Sequence, residues 1–214
     1  MGRPSKRTCG YAERNARQKK QRSKVPCLFL VVEGKSEKIY FENFSSRNCQ
    51  VKVFVAPSGD PVGLVKKAEN LKKRGTIDLD DLDKMWCVFD RDDNNPENIE
   101  KALIRAEKNG FKIAFSNPCF EIWLLWHFEE TFAYVEISQK LAEKLKPHLG
   151  DYCKTKDYFD CLQPRMNDAI SRAKKAEKMH VQNGRKKFTR EFNPSSNIYE
   201  IVEEIQNLQA VDRS

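Results

Sequence analysis

Acidic residues stand where apolar segments end or begin. Glu33 follows the apolar run "CLFLVV" (27–32), and Glu37 comes one helical turn later in "VVEGKSE". Asp90 and Asp92 close "WCVFDRDD", and Glu121 lies inside "CFEIWLLWHF". On extended backbone Asp90 and Asp92 point the same way while Arg91 points opposite. A carboxylate among side chains as apolar as those around Glu121 must find a partner or a cation. Carboxylates gathered in one place disfavour each other's ionisation until a cation neutralises them. Oxygen ligands with no Cys or His among them suit Mg²⁺ or Mn²⁺. Beside basic stretches, such a site points to phosphodiester chemistry. The metal would polarise the phosphate and stabilise the leaving oxygen, and a carboxylate would act as general base or acid.

The elements that must position these acids are legible in the hydrophobic pattern. "CLFLVV" is a continuous apolar run suited to a strand buried on both faces. "EGKSEKIYFENFSSR" reads as a helix, with Ser36 as N-cap and Ile39, Tyr40 and Phe44 at helical spacing. "VKVFVAP" is a strand, and a helix then runs from near Pro61 to a stop at Gly75. "KMWCVFD" is the third strand, "NPENIEKALIRAEKNG" a helix stopped at Gly110, and "FKIAFSNP" the fourth strand. "CFEIWLLWHF" reads as a buried helix, with His127 and the aromatics Phe120, Trp123, Trp126 and Phe128 in the core. Asp93 reads as a cap or turn residue, and Asn117 with Pro118 as a turn at the fourth strand's end. The alternation β-α-β-α-β-α-β-α predicts an α/β fold with a mainly parallel sheet and helices on both faces. Ligands bind such sheets beyond the carboxyl ends of the strands. If the first and third strands are neighbours, Glu33, Asp90 and Asp92 meet there.

Residues 129–214 read differently. "ISQKLAEKLKPHL", "PRMNDAISRAKKAEKMH" and "SSNIYEIVEEIQNL" are all helical in pattern, and Ser195–Asn197 offers caps for the last. The expected organisation is a basic N-terminal arm (1–25), an α/β domain (26–128) and a helical C-terminal extension (129–214). The chain of 214 residues is long enough to bury a real core. No apolar run approaches the ~18 residues of a membrane span, and the N-terminus lacks the apolar part of a secretory signal. Seven cysteines with no C-x-x-C pair argue against a disulfide framework or a zinc site. They read as small buried hydrophobes of a cytoplasmic protein.

The net charge of +8 favours a polyanionic partner. Basic residues concentrate in 1–24 and in 172–190, where Lys174, Lys175, Lys178, Arg185, Lys186 and Lys187 are candidates for phosphate-backbone contact.

"VVEGKSE" followed by "VFDRDD", on the first and third strands of an alternating unit, resembles the Toprim domain of topoisomerases, primases and OLD-type nucleases. "FLVVEGKSEKIYFENF", "WCVFDRDD" and "IAFSNPCFEIWLLWHF" together resemble the RloB family, with weaker agreement in "NPSSNIYEIV". Its members are small Toprim-like proteins of restriction and phage-defence loci, often encoded beside an ABC-type ATPase. The resemblance implies that Glu33 is general base or metal ligand and that Asp90 and Asp92 are metal ligands. Glu37 matches a second acid of some OLD-type nucleases, and Glu37 or Glu121 would support a second ion. The expected function is metal-dependent cleavage of DNA or RNA in a prokaryotic antiphage system, with an ATPase as candidate partner. No P-loop G-x-x-x-x-G-K-[ST] occurs in the chain. Two other readings stay open: a non-catalytic nucleic-acid-binding subunit of a defence complex, and an enzyme acting on a small nucleotide. Oligomeric state is not legible.

Overall fold

In a computed structural model of the chain, residues 25–56, 60–77, 79, 83–91 and 94–210 are described. Four strands, β1 (Cys27–Val32), β2 (Gln50–Val55), β3 (Lys84–Asp90) and β4 (Lys112–Asn117), form a parallel sheet in the order β2-β1-β3-β4. The two-residue β5 (Ser195–Ser196) joins β4 antiparallel at the edge. The α/β fold with a mainly parallel sheet is as the sequence predicts. β1 and β3 are hydrogen-bonded neighbours, with Val32 opposite Val88. Chain direction across the sheet reverses between these two strands, which makes their carboxyl ends the expected ligand crevice.

Alternate residues of each central strand face opposite layers. Phe29, Val31, Cys87, Phe89 and Phe115 pack against α2 (Pro61–Lys73) and α3 (Pro96–Lys108). Leu28, Leu30, Val32, Trp86, Val88 and Ala114 face the other layer. That layer holds α1 (Lys35–Glu42), α4 (Glu121–Leu125), α5 (Gln139–Leu149), α6 (Phe159–Leu162), α7 (Met166–Gln182) and α8 (Ile198–Ala210). The helices after residue 139 therefore share one core with the sheet: Leu141, Leu145, Ala169, Ile201 and Ile205 are all in that cluster. Sheet layers so covered expel water from both faces, which is why β1 is apolar at every position.

Local chemistry departs from expectation in several places. Gly34, not Ser36, is the N-cap of α1, because the helix starts two residues earlier than that cap would set it, at Lys35. Asn95 caps α3 through Glu97 N–H, while Asp93 lies outside the described residues. Ser195 and Ser196 are not simply caps of α8, for β5 uses both to extend the sheet. Asn197 supplies its amide to β4 instead, accepting from Phe115 N–H at 2.6 Å and donating to Ile113 C=O at 3.0 Å. Cys27, Cys49, Cys87 and Cys119 are buried thiols as expected, but Cys153 and Cys161 are exposed, placed by α6 and the loop before it on the outside of the core. Cys9 lies outside the described residues. Among the described residues no helix is long and apolar enough to cross a membrane.

Candidate active site

The two strand-end acids meet as the strand order requires. β3 runs past the end of β1, so the N–H of Asp90, which faces β1, has no strand carbonyl to bond. Glu33 fills that place: its Oε2 accepts from Asp90 N–H at 3.3 Å. The next N–H, of Arg91, turns the other way to Ser116 C=O at 2.7 Å. The Asp90 carbonyl accepts from Asn94 Nδ2 at 2.9 Å, which fixes the turn after the strand. Asp90 is buried, and by strand alternation it lies on the same side as Val88, the side of α1 and α4. Asp92 lies outside the described residues.

α1 and α4 each bring one acid in their first turn to this side. Glu37 is buried, and its Oε2 lies close to Gly34. A methyl at Gly34 would stand 2.6 Å from that oxygen, so the glycine is there for room. Its backbone is extended and any residue could adopt it. Ser36 Oγ donates to the same carboxylate at 3.2 Å. Burial pushes the Glu37 pKa above the ordinary carboxylate value, and the charge of Glu121 adds to the rise.

Glu121 is buried too, but it has a cation. Lys154 Nζ lies 2.9 Å from its Oε1, and Tyr152 Oη donates to the same oxygen at 3.1 Å. Burial is the largest influence on Glu121 and pushes its pKa up. The Lys154 ammonium, the Cys119 thiol and nearby N–H donors outweigh it, so the group ends below the ordinary value. Burial alone would lower Lys154, but Glu121 overrides it, Asp90 adds to the effect, and the ammonium is held charged. Glu121 Oε2 is buried with no hydrogen-bond partner among the described residues.

Glu121 and Lys154 also form part of the wall of a cleft of about 840 Å³. Arg91, Asn117, Tyr134, Arg190 and Asn193 stand around it. Arg91 does leave the side of Asp90, and its guanidinium is tied to Asn94 C=O at 2.5 Å. One wall is set by an amide pair. Asn117 Nδ2 donates to Thr189 C=O and Phe192 C=O, at 3.0 and 3.1 Å. Asn193 Nδ2 donates to Asn117 Oδ1 and Val135 C=O, and Asn193 Oδ1 accepts from Val135 N–H. These bonds clamp residues 189–194 and the strand-like segment at 135 to the end of β4.

The basic cluster on and after α7 is split. Lys174 pairs with Glu203, Lys175 with Glu130 and Lys187 with Glu177, each at 2.5 Å. Arg185 Nη1 lies 2.9 Å from His180 Nδ1. Lys178 and Lys186 are exposed and form no ion pair with a described residue. The aromatics of α4 are core: Phe120, Trp123 and Trp126 are fully buried. His127 is a buried core histidine, its Nδ1 2.9 Å from Trp123 C=O, and burial pushes its pKa down to about 4.

Asp90, Glu37 and Glu121 thus lie on the α1/α4 side of the β1/β3 carboxyl ends and Glu33 is tied to the Asp90 main chain there, while the lysines of 174–187 are dispersed over α7 and the turn after it. Lys154, Tyr152 and Tyr134 escaped sequence reasoning, while Arg190 belongs to the basic stretch 172–190 it singled out. A buried Glu121 announces that a cation must exist, but nothing in "GDYCKTKDYF" says which lysine folds back to it. A divalent cation fits this site in donor chemistry, for all candidate ligands are carboxylate oxygens and one, Glu121 Oε2, is buried without a partner. Among the described residues no three His, Cys, Asp or Glu side chains are already arranged as a metal-binding group.

No curated protein and no solved structure matches the chain. The family model for RloB-like proteins matches residues 28–205, from the second residue of β1 through β5 and into α8, with Glu33, Glu37, Asp90 and Glu121 all inside it. The chain belongs to the RloB-like family.

Proposed function

We propose that this protein is a metal-dependent nuclease of the Toprim type, cleaving phosphodiester bonds of DNA or RNA in a prokaryotic antiphage system. The observation that carries the reading is the bond from Asp90 N–H to Glu33 Oε2 at the point where the sheet reverses direction, with buried Glu37 and Glu121 beside it. Carboxylates are costly to concentrate in this way unless the site serves a cation. Glu33, Asp90 and Asp92 would hold Mg²⁺ or Mn²⁺, which supplies Lewis-acid stabilisation of the phosphate oxygens. The protein's own groups do the rest. Glu33, held by the Asp90 N–H, would accept a proton from water. Glu37, whose pKa burial raises, would take part in proton transfer. Lys154 brings positive charge from the Glu121 carboxylate to the cleft, where a phosphate would lie. Restraint of the activity by an ABC-type ATPase partner is part of the proposal, and it rests on the family resemblance alone.

The test is incubation of the purified protein with plasmid DNA, total tRNA and ribosomal RNA, in Mg²⁺, Mn²⁺ or EDTA, beside Asp90→Ala. Cleavage of one pool that needs the metal and is lost in Asp90→Ala, by at least about 100-fold, is the expected result. A binding subunit without catalysis is the second reading. It draws on the Lys154 ammonium, which already neutralises Glu121. Under that reading Asp90→Ala binds nucleic acid as wild type does, and no pool is cut even when the ATPase is added.

A further inference from the structure

We infer that the cleft beside the carboxylates takes an unpaired nucleotide, so that the substrate is a single strand or an unpaired loop rather than a continuous duplex. This deepens the nucleic-acid reading of the same site and rests on it. The cleft has the volume for one or two nucleotides, at about 840 Å³, and it is concave rather than a flat basic face. A duplex needs a broad surface that tracks two backbones. This site offers a pocket with cations at intervals and one aromatic ring.

The cations are Arg91 and Lys154 at the acid end and Arg190 further out. The aromatic is Tyr134, which is 54 % exposed although every tryptophan of the chain is buried. Exposure of so large a ring at the edge of a cleft is unexplained by packing. Beyond Tyr134 a second hollow of about 320 Å³ begins, sharing Tyr134 and Asn193 with the first and bordered by Arg185. Lys154 thus lines the first hollow, Arg185 the second, and Tyr134 both, which makes one continuous track past the ring. Unpaired bases stack on aromatic side chains while cations hold the backbone, and the interaction is tolerant of sequence.

Most of the amides around the cleft are committed elsewhere, which leaves Gln139 and the Asn95 amino group on its wall. Asn117 and Asn193 spend their donors on the clamp, Asn94 on Asp90, and Asn95 caps α3. With few uncommitted amides against an exposed ring and several cations, stacking and charge dominate recognition. The same geometry revises the roles within the basic cluster. Arg185, with Arg190, faces the track, whereas Lys174, Lys175 and Lys187 are committed to acids.

The experiment measures binding in EDTA, so that it does not depend on cleavage. Short unstructured RNA and DNA oligonucleotides carrying one 2-aminopurine are titrated with full-length protein, beside blunt duplexes of the same sequence. The single strand is expected to bind at least about 10-fold more tightly than the duplex, with quenching of the 2-aminopurine. Tyr134→Ala is expected to weaken single-strand binding about 5- to 100-fold and to abolish the quench, and Tyr134→Phe to keep both. Duplex binding as tight as single-strand binding, or no effect of Tyr134→Ala, overturns the inference. Failure to bind either form overturns it together with the nucleic-acid reading. Tyr134-dependent binding with no cleavage in Mg²⁺ or Mn²⁺ upholds the inference and removes the nuclease.

Discussion

Glu37 and Glu121 are neighbours of the same chemical type held in opposite electrostatic states. Lys154 reaches Glu121 and draws its pKa down against burial, while Glu37 has its own helix N-terminus, Ser36 and a more distant pull from Lys154 to set against burial and the charge of Glu121, and these do not suffice. The asymmetry has a consequence for stability. A group whose folded pKa is raised contributes stability that is present below its unfolded value, 4.5 for Glu37, and lost as pH rises through the folded one. At neutral pH an ionised Glu37 is therefore a liability to the fold without a cation. Glu37→Gln, in EDTA, is expected to raise the melting temperature at pH 7 by about 2–4 °C, equivalent to roughly 1 kcal/mol for a chain of this size. The gain should shrink towards zero near pH 4. Thermal melts of both proteins across that range check this, and an equal gain at both pH values would mean the carboxylate's charge is not the cause. Added Mg²⁺ that stabilises wild type more than the variant would place the cation within reach of Glu37.

The elements that carry the acids are legible in sequence because each ends in chemistry that has one meaning. Pro61 and Gly75 bracket α2, Pro96 and Gly110 bracket α3, and apolar β1 passes directly into Glu33. That Glu33 meets Asp90 follows from the strand order alone, once β1 and β3 are known to be adjacent. The other wall is not legible, because it depends on contacts across 58 to 76 positions. Asn117 bonds to residues 189 and 192, Asn193 to 117 and 135, and β5 is only two residues long. No periodicity marks so short a strand, and an Asn before a Pro reads as a turn whether or not its side chain holds a distant loop. The clamp is testable as a unit. Asn193→Ala removes three hydrogen bonds and leaves Val135 N–H and C=O and Asn117 Oδ1 without this partner. With about 1–3 kcal/mol for each buried group left unsatisfied, and some relief from water, a loss of about 2–4 kcal/mol is expected by urea denaturation. Hydrogen exchange should rise in 131–138 and 186–194 while β1 and β3 stay protected. Uniform loss of protection would show that the segment is not a separate unit of stability.

On the scale of the whole molecule, positive charge is abundant but unevenly available. The net charge of +8 attracts polyanions, and lysines dominate the surface of α7. Yet ion pairs to Glu203, Glu130 and Glu177 neutralise Lys174, Lys175 and Lys187 locally. Exposed pairs of this kind contribute little to stability, typically below about 1 kcal/mol, so they can open for a ligand, but opening them exposes an acid beside the phosphate. Along the cleft, Lys154 has its partner Glu121 buried beneath it, while Arg185 and Arg190 form no ion pair among the described residues. If backbone contact is made at Arg91, Lys154, Arg185 and Arg190, about four phosphates are neutralised. For a single strand this gives a slope of about −3 in log K against log salt. Replacing Lys174, Lys175 and Lys187 together by Gln should then leave the slope within about 0.5 of wild type and change affinity less than about 3-fold. Replacing Arg185 and Arg190 by Gln should flatten it by about 1.4. Titrations at four or more salt concentrations measure both. A slope that falls by about 2 in the triple lysine variant would move the binding track from the cleft to the face of α7, and with it the path by which a strand reaches Glu33 and Asp90.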